Sequence, residues 1–590
     1  MKKTFWLFAA LLVAAVLCVY AQTCVFEQLS YDDDGYTVGC RFVRDGFSFV
    51  NLLSAFKDVT WGGIYMPVTY ASYMATISLF GSGTGAQHMV SVVFHCLNAV
   101  LFFAFLVDVS SRKEPLGHLA GSTLTLCFFG AALWALHPLR VESVAWIASR
   151  KDTLFTLFSL VGLFAWIRHR VALATFCMLL ACLSKPTAMV FPALALCVEM
   201  LLLPGEDLGS AMNRLLKPRF WLKYIPLFAL SLATAILAAY SQTHGDGEPA
   251  RSLFIASFGW RCLNALVSLG LYFYHLLVPV GLQFWYRPVR EGVPLHAALG
   301  LVSLALVICA WCIAVWKTRT FRRTLVIAAL WFAAAIGPTL GIAASFGNHA
   351  FADRFTYVPM MSVSLLLVLS RPRLTVVRVS VASLVLFVLS ALAFVYASTF
   401  RNNLTAFEQV ARCDPDHCYA WTNIGSETIL RTGDIEKGIA YLRKSLAIFR
   451  TEEAESELAH ALAARNDPKD EGEVVDLCMK HADWSTSSKE GEIPLIPESK
   501  DKDGFLSEAL GIVSTRHADW PNAIRCFEVA WRRGSREDCR MRLAMSYWNL
   551  RRYDKAAEHL VPLSRSARTD ISTKARELLS AREKKFQYPP

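Results

Sequence analysis

Charge is what this chain has least of. Only 18% of its 590 residues are Asp, Glu, Lys or Arg, against 54% hydrophobic residues, and the mean hydropathy is +0.38. That deficit excludes an ordinary soluble enzyme of this length, in which about a quarter of the residues would be charged. The 16 cysteines contain no two CxxC pairs at zinc-site spacing, so no structural zinc module is expected. Several lie in apolar stretches, as packing residues do. Cys24 with Cys40, and Cys413 with Cys418, are the pairs an oxidising compartment could bridge. A continuous basic face is also missing. The formal charge of +11 is concentrated in short turns between apolar stretches, which excludes nucleic acid as the expected partner.

What the chain has instead is a series of apolar stretches through its first 400 residues, long enough to cross a bilayer as helices. Eleven spans are expected: 4–22, 88–108, 119–137, 152–167, 171–184, 187–203, 222–240, 294–316, 324–344, 357–370 and 379–399. The start, "MKKTFWLFAALLVAAVLCVYAQ", reads as an uncleaved signal-anchor. Arg112 and Lys113, Arg168 and Arg170, Lys217 to Lys223, Lys317 to Arg323, and Arg371 to Arg378 mark the cytoplasmic turns. The first loop, 23–87, then lies outside. Segment 260–279 breaks the charge alternation if it crosses, so it is expected to be re-entrant or interfacial. With that count, whatever follows residue 400 is outside as well.

From residue 401 the texture changes to mixed charged and apolar residues with helical period. Trp421, Gly425, Gly438, Leu442 and Ser445, then Leu510, Gly511, Ala523, Phe527 and Ala530, then Leu543, Ala544, Tyr547, Ala556 and Leu560 follow the tetratricopeptide (TPR) pattern. Ala523 and Ala556 are 33 positions apart, close to one repeat. A degenerate repeat is expected at 452–482 and a loop at 486–503. The fold class is therefore all-α, with a polytopic membrane domain over 1–400 and a soluble helical repeat domain over 401–590. Such repeats supply a binding surface rather than chemistry.

Polar residues stand out where they are expensive. The first loop opens with "SYDDDGYTVG", in which Asp32, Asp33 and Asp34 repel one another unless a metal, a cation or solvent offsets the cost. "HPLRVESVAWIASRKD" carries His137, Arg140, Glu142, Arg150, Lys151 and Asp152. "SKPTAMVFP" carries Lys185, "NHAFADRFTYVP" carries His349, Asp353, Arg354 and Tyr357, and the second span opens with His88, His95 and Asn98. Taken singly, each has a structural explanation: His95 and Asn98 bonding between helices, Lys185 snorkelling, Arg140 pairing with Glu142. Together, acids and bases on one side of a helical bundle suggest a site that holds an anion and removes a proton.

These segments resemble the bacterial polytopic proteins with C-terminal tetratricopeptide repeats related to the transmembrane-and-TPR O-mannosyltransferases, members of the GT-C glycosyltransferase superfamily. "DDDGYTVGCRFVRDGFSF" matches the acidic motif, with Tyr36, Val43 and Gly46 in register, and "HPLRVESVAWIASRKD" matches the most recognisable segment. Three positions depart from the pattern. Cys40 stands where Asn is usual, Gln87 where a second His is common, and Thr76 where an Asp is frequent.

The resemblance implies transfer of a sugar from a polyprenyl-phosphate carrier to a hydroxyl acceptor, probable class protein, on the outer face, with inversion. Asp33 is the expected base, with Asp32 second and Asp34 beside them. Lys185, Arg140 and Arg354, backed by Arg150 and Lys151, are expected on the lipid phosphate, with Glu142, Asp353, Tyr357, His88 and His95 in the same pocket. Whether a divalent cation takes part stays open, with Asp32 and Asp33 as its ligands if it does. The repeats would recruit the acceptor or a partner, and the resemblance implies a bacterial inner membrane. Two other readings fit the same residues: a non-catalytic membrane TPR scaffold, and a transporter of the lipid-linked sugar. Asn403 also lies in an N-glycosylation sequon, "NNLT".

Overall fold

The computed structural model describes residues 2–113, 121–203, 208–245, 257–287, 294–318, 321–342, 351–482, 496–501 and 504–587. His349 and most of the expected loop 486–503 lie outside the described residues. Among the described residues all regular structure is helical. The chain divides into two compact units, Met1–Cys413 and Asp414–Pro590. The helix Asn403–Cys413 thus belongs to the first unit, thirteen residues beyond the boundary expected from composition.

In the first unit five helices are long and apolar enough to cross a membrane: Lys2–Val25, Thr84–Lys113, Pro218–His244, Pro294–Lys317 and Val376–Arg401. A sixth is formed if Ser122–Ala135 and Pro138–Ala145, bent by 58°, count as one span. Several other expected spans are shorter helices, Val171–Ser184, Arg322–Ile336 and Met361–Leu369 among them. At 1.5 Å per residue the nine-residue Met361–Leu369 covers about 14 Å, roughly half a bilayer core. Helix Arg150–Ile167 has the length, but its first turn is charged.

Segment 260–279, expected to be re-entrant or interfacial, is helical as far as Leu277. It forms one unbroken helix, Phe258–Leu277, pressed so closely on Pro294–Lys317 that a Cβ on Gly270 would fall 1.7 Å from the Gly300 carbonyl oxygen. Small residues let the two backbones meet, as they do between membrane helices. The count of eleven crossings loses its basis here. Direct contacts replace it. Arg401, at the end of the last long helix, accepts from the Glu27 amide at 2.9 Å, and Asn403 bonds Ser30 through both ends of its amide, at 2.6 and 2.9 Å. The chain leaves the first unit at the end of the bundle that carries the acidic loop. The sequon Asn403 is buried in that contact. Cys24 and Cys40 are free thiols.

The second unit is a succession of helix hairpins, including Cys418–Thr432 with Ile435–Ile448, Phe505–Arg516 with Trp520–Arg532, and Glu537–Asn549 with Tyr553–Leu563. Gly433, left-handed at φ 71°, ends the first helix, and Asp434 caps the next by accepting from the Lys437 amide at 3.0 Å. A Cβ on Gly438 would sit 2.2 Å from the Ile429 side chain and 2.9 Å from the Gly425 carbonyl, so the hairpin closes only without one. Ala523 and Ala556 are fully buried at the later crossings.

Candidate active site

The acidic loop folds into a short helix, Asp33–Tyr36, and its three carboxylates have three different fates. Asp33 is buried; one oxygen accepts from the Leu29 amide at 2.7 Å and the other from the Ala148 amide at 2.7 Å. It therefore pins the loop to the segment after Trp146. Asp34 receives the Gln28 side-chain amide. Asp32, half-buried, accepts no hydrogen bond from any described residue and instead feels the charges of Lys151 and Arg354. Burial raises all three carboxyl pKa values. Asp33 goes furthest, to about 8, because burial and the charges of Asp32 and Asp34 outweigh its two backbone bonds.

Lys151 and Arg354 face Asp32, and a third cation, Lys185, lies near both of them. Lys185 donates to Asp152 at 2.5 Å, at the junction of Val171–Ser184 with the following turn. Arg354 pairs with the buried Glu142 through its side chain, and its amide donates to the same carboxylate at 2.8 Å; its guanidinium lies 5.2 Å over Trp146. Lys151 has no carboxylate within ion-pair distance among the described residues. It donates to the Tyr36 hydroxyl at 3.3 Å and sits 4.5 Å over that ring. Two of the three cations are thus neutralised at rest, and Lys151 is the one available to an incoming anion. A cavity of about 20 Å³, large enough for one water, lies among Asp152, Lys185, Thr339, Arg354 and Phe355. The second carboxylate oxygen of Asp152 is buried there without a described partner.

Other expected pocket residues hold the bundle together instead. Arg140 donates to Thr356, to its carbonyl at 2.8 Å and to its hydroxyl, and lies over Tyr357. Arg150 is buried and spends its donors on Gln87, on Ser91 at 3.2 Å and on Thr76 at 3.1 Å. His95 donates from Nε2 to the Ala135 carbonyl at 3.0 Å, so its Nδ1 accepts from the Tyr357 hydroxyl at 2.6 Å. Asn98 completes that network at 3.3 Å. His88 donates to the Glu27 carbonyl at 3.1 Å. Asp353 accepts from the hydroxyls of Tyr286 at 3.1 Å and Tyr396 at 3.4 Å. Each of these groups is tied to partners from other helices, while Arg140 Nε, His88 Nδ1 and Asn98 Oδ1 are buried without a described partner.

Sequence reasoning placed Lys151 behind Arg140 and passed over Asp152, Tyr36 and Trp146 as parts of the site. The run Arg150, Lys151, Asp152 was the signal. On one helical turn three successive side chains point about 100° apart, so they serve different neighbours: Arg150 inward, Lys151 to the acidic loop, Asp152 to Lys185. The donors do not suit a resident divalent cation. Both oxygens of Asp33 are taken, Asp32 faces cations, and no cluster of three or more His, Cys, Asp or Glu occurs among the described residues.

A protein O-mannosyl-transferase of Caenorhabditis elegans is 24% identical to this chain over 224 residues, 38% of this chain and 30% of that protein. Protein O-mannosyl-transferase TMTC1 of Mus musculus is 28% identical over 169 residues, 27% of this chain and 17% of its own length. The chain is a distant homologue, in part, of TMTC-type proteins. It spans less than a third of the length of either relative. No family model matches it. The apolar helices are those of a membrane protein, and both matched relatives are named protein O-mannosyl-transferases.

Proposed function

We propose that this protein is a GT-C type membrane glycosyltransferase that moves a sugar, mannose being the one its relatives' names suggest, from a polyprenyl-phosphate carrier to a hydroxyl acceptor on the extracytoplasmic face. The observation that carries this reading is the position of Asp32, an unbonded, half-buried carboxylate held near Lys151 and Arg354. Asp32 takes the proton of the acceptor hydroxyl as its oxygen attacks the anomeric carbon. The bond from that carbon to the phosphate oxygen breaks, and its electron pair leaves with the lipid phosphate. Lys151 meets the charge that develops there, with Lys185 and Arg354 beside it. One base and one displacement give inversion.

A lipid-linked donor suits the surroundings of Lys185. Two apolar cavities, about 600 and 190 Å³, share Leu179 and Leu230 and follow helices Val171–Ser184 and Ile225–His244 to Pro186, next to Lys185. Their length and lining fit an isoprenoid chain whose phosphate reaches the cations. The hairpins of the second unit serve, in this reading, as TPR repeats that recruit an acceptor protein.

The test compares glycopeptides and glycolipids by mass spectrometry in cells making the wild-type protein or Asp32→Asn at equal levels. A mass increment present with the wild type and missing with the variant identifies sugar and acceptor together. Identical profiles, with the protein still required for its cellular role, would move the assignment to a scaffold.

A further inference from the structure

The first loop contains a helix that the proposed chemistry does not use. Phe49–Lys57 is capped by Ser48, which accepts from the Asn51 amide at 3.0 Å. Its Ala55 is fully buried against the protein, while Phe49, Val50, Leu53 and Phe56 are exposed, Phe49 by 77% and Val50 by 71%. At 100° per residue these four side chains fall within one face about 120° wide, opposite Ala55. Phe47 before the helix is exposed, as are Leu79 and Phe80 at the end of the helix Pro67–Phe80. The two ends are tied, since the Phe47 amide donates to the Ser78 hydroxyl at 2.7 Å. The result is one aromatic-rich patch from two helices, larger than a water-facing surface ordinarily carries.

The patch lies close in the chain to the start of a membrane-length helix. Phe80 is four residues before Thr84, where a membrane-spanning helix begins, and four residues of chain reach at most about 14 Å. Thr84 donates to the Phe26 carbonyl at 2.8 Å, and Phe26 directly follows the spanning helix Lys2–Val25. Two spans therefore enter the bilayer together at that point. The first of them continues into an exposed lipid-facing surface through Val93 and Leu97. We infer that Phe49–Lys57 is an interfacial helix, seated with its phenylalanine face in the lipid headgroup layer of the leaflet that borders the acidic loop.

The seat is linked to that loop. Beyond the helix, Asp58 pairs with Arg41 at 2.6 Å and accepts from the amides of Thr60 and Trp61 at 3.1 Å each. The Trp61 indole donates to the Gly35 carbonyl at 3.0 Å, three residues from Asp32. An anchored helix therefore sets the height of the acidic loop above the bilayer, whichever reaction takes place beside it.

The experiment uses the full chain in phosphatidylcholine vesicles whose acyl chains carry a diazirine, with adducts mapped by mass spectrometry after illumination. Adducts are expected on residues 47–56. They should fall at least fivefold in the double variant Leu53→Glu, Phe56→Glu, while adducts on Thr84–Lys113 stay as they were. A wild-type protein labelled on Thr84–Lys113 but not on 47–56 overturns the inference. If the double variant loses both sets of adducts it has misfolded, and a benzoylphenylalanine at position 49 decides instead. Cross-linking to lipid upholds the inference; cross-linking to another polypeptide, including a second copy, overturns it.

Discussion

Replacing Asp32 and Asp33 by asparagine, one at a time, separates stability from transfer. Asp33 uses both carboxylate oxygens as acceptors, for the amides of Leu29 and Ala148. An asparagine there keeps one acceptor and turns an NH₂ toward the other amide. One buried donor is left unmade, at a cost of about 1–3 kcal/mol. Asp32 accepts no such bond from the described residues, so its replacement should change stability by no more than about 0.5 kcal/mol. For transfer the order reverses. Loss of a general base costs about 10²–10⁴-fold, and that loss belongs to Asp32→Asn. Asp33→Asn should keep more than about a tenth of the wild-type rate below its melting temperature, because it displaces the loop without removing the base. The assay pairs thermal unfolding of the purified chain with initial rates from a radiolabelled polyprenyl-phosphate sugar. A stable, inactive Asp33→Asn beside an active Asp32→Asn would refute the assignment of roles.

The pH dependence follows from the same loop. Burial raises the Asp32 carboxyl, so it ionises later than a free carboxylate and transfer should increase with pH above the usual carboxylate range; a pH–rate profile with no such acid limb would contradict it. For stability the sign is opposite. The Asp33 carboxyl is raised in the folded state to about 8, so its contribution is full below its unfolded pKa and is lost as pH rises through 8. Unfolding midpoints of Asp33→Asn should accordingly vary less with pH than those of the wild type. Lys151→Met should reduce the transfer rate by about 10²-fold or more with little change in the melting temperature, since the one hydrogen bond Lys151 donates among the described residues is to the Tyr36 phenol. In the second unit, Gly438→Val should separate the first hairpin and lower the midpoint of that unit, read by hydrogen exchange at 418–449, because no side chain fits against Ile429 and the Gly425 carbonyl.

Much of this architecture is legible in the sequence because membranes impose simple rules. A bilayer forces long apolar helices, and the motifs that converge near Asp32 come from segments that hydropathy had already placed at one end of the bundle. Two things were not legible. Pairing is one: nothing in the string distinguishes Arg140, which is tied to Thr356, from Lys151, which bonds Tyr36, because the difference lies in partners 216 and 115 positions away. Depth is the other. The unbroken helix Phe258–Leu277 rests on a glycine contact with Pro294–Lys317, and charge alternation alone said only that the segment does not make a simple crossing. The amphipathic Phe49–Lys57 was hidden for a related reason. Nine residues are too few to register as a membrane element, yet they suffice for an interfacial one.

The departures from the family pattern take on a different meaning once Arg150 is located. Thr76 and Gln87 are eleven positions apart, and in the sequence each looks like an independent loss, of an acid and of a histidine. In the fold both accept through their oxygens from the same guanidinium, Thr76 at 3.1 Å and Gln87 at 2.6 Å, with Ser91 beside them and the Tyr73 ring 4.4 Å away. Among the described residues no carboxylate pairs with Arg150, so neutral oxygens and a π-face do the work that an aspartate would otherwise do. Decay scatters substitutions at random. Two substitutions that meet on one buried cation and still satisfy it are what selection for an intact bundle leaves behind. Gln87→Leu tests this directly, since it removes the shortest side-chain acceptor and keeps the volume. It should destabilise the first unit by about 1–3 kcal/mol. Adding Thr76→Asp should restore part of that loss, because a carboxylate then faces the guanidinium. Without that rescue, the two positions would be unrelated, and the departures would favour the non-catalytic scaffold instead.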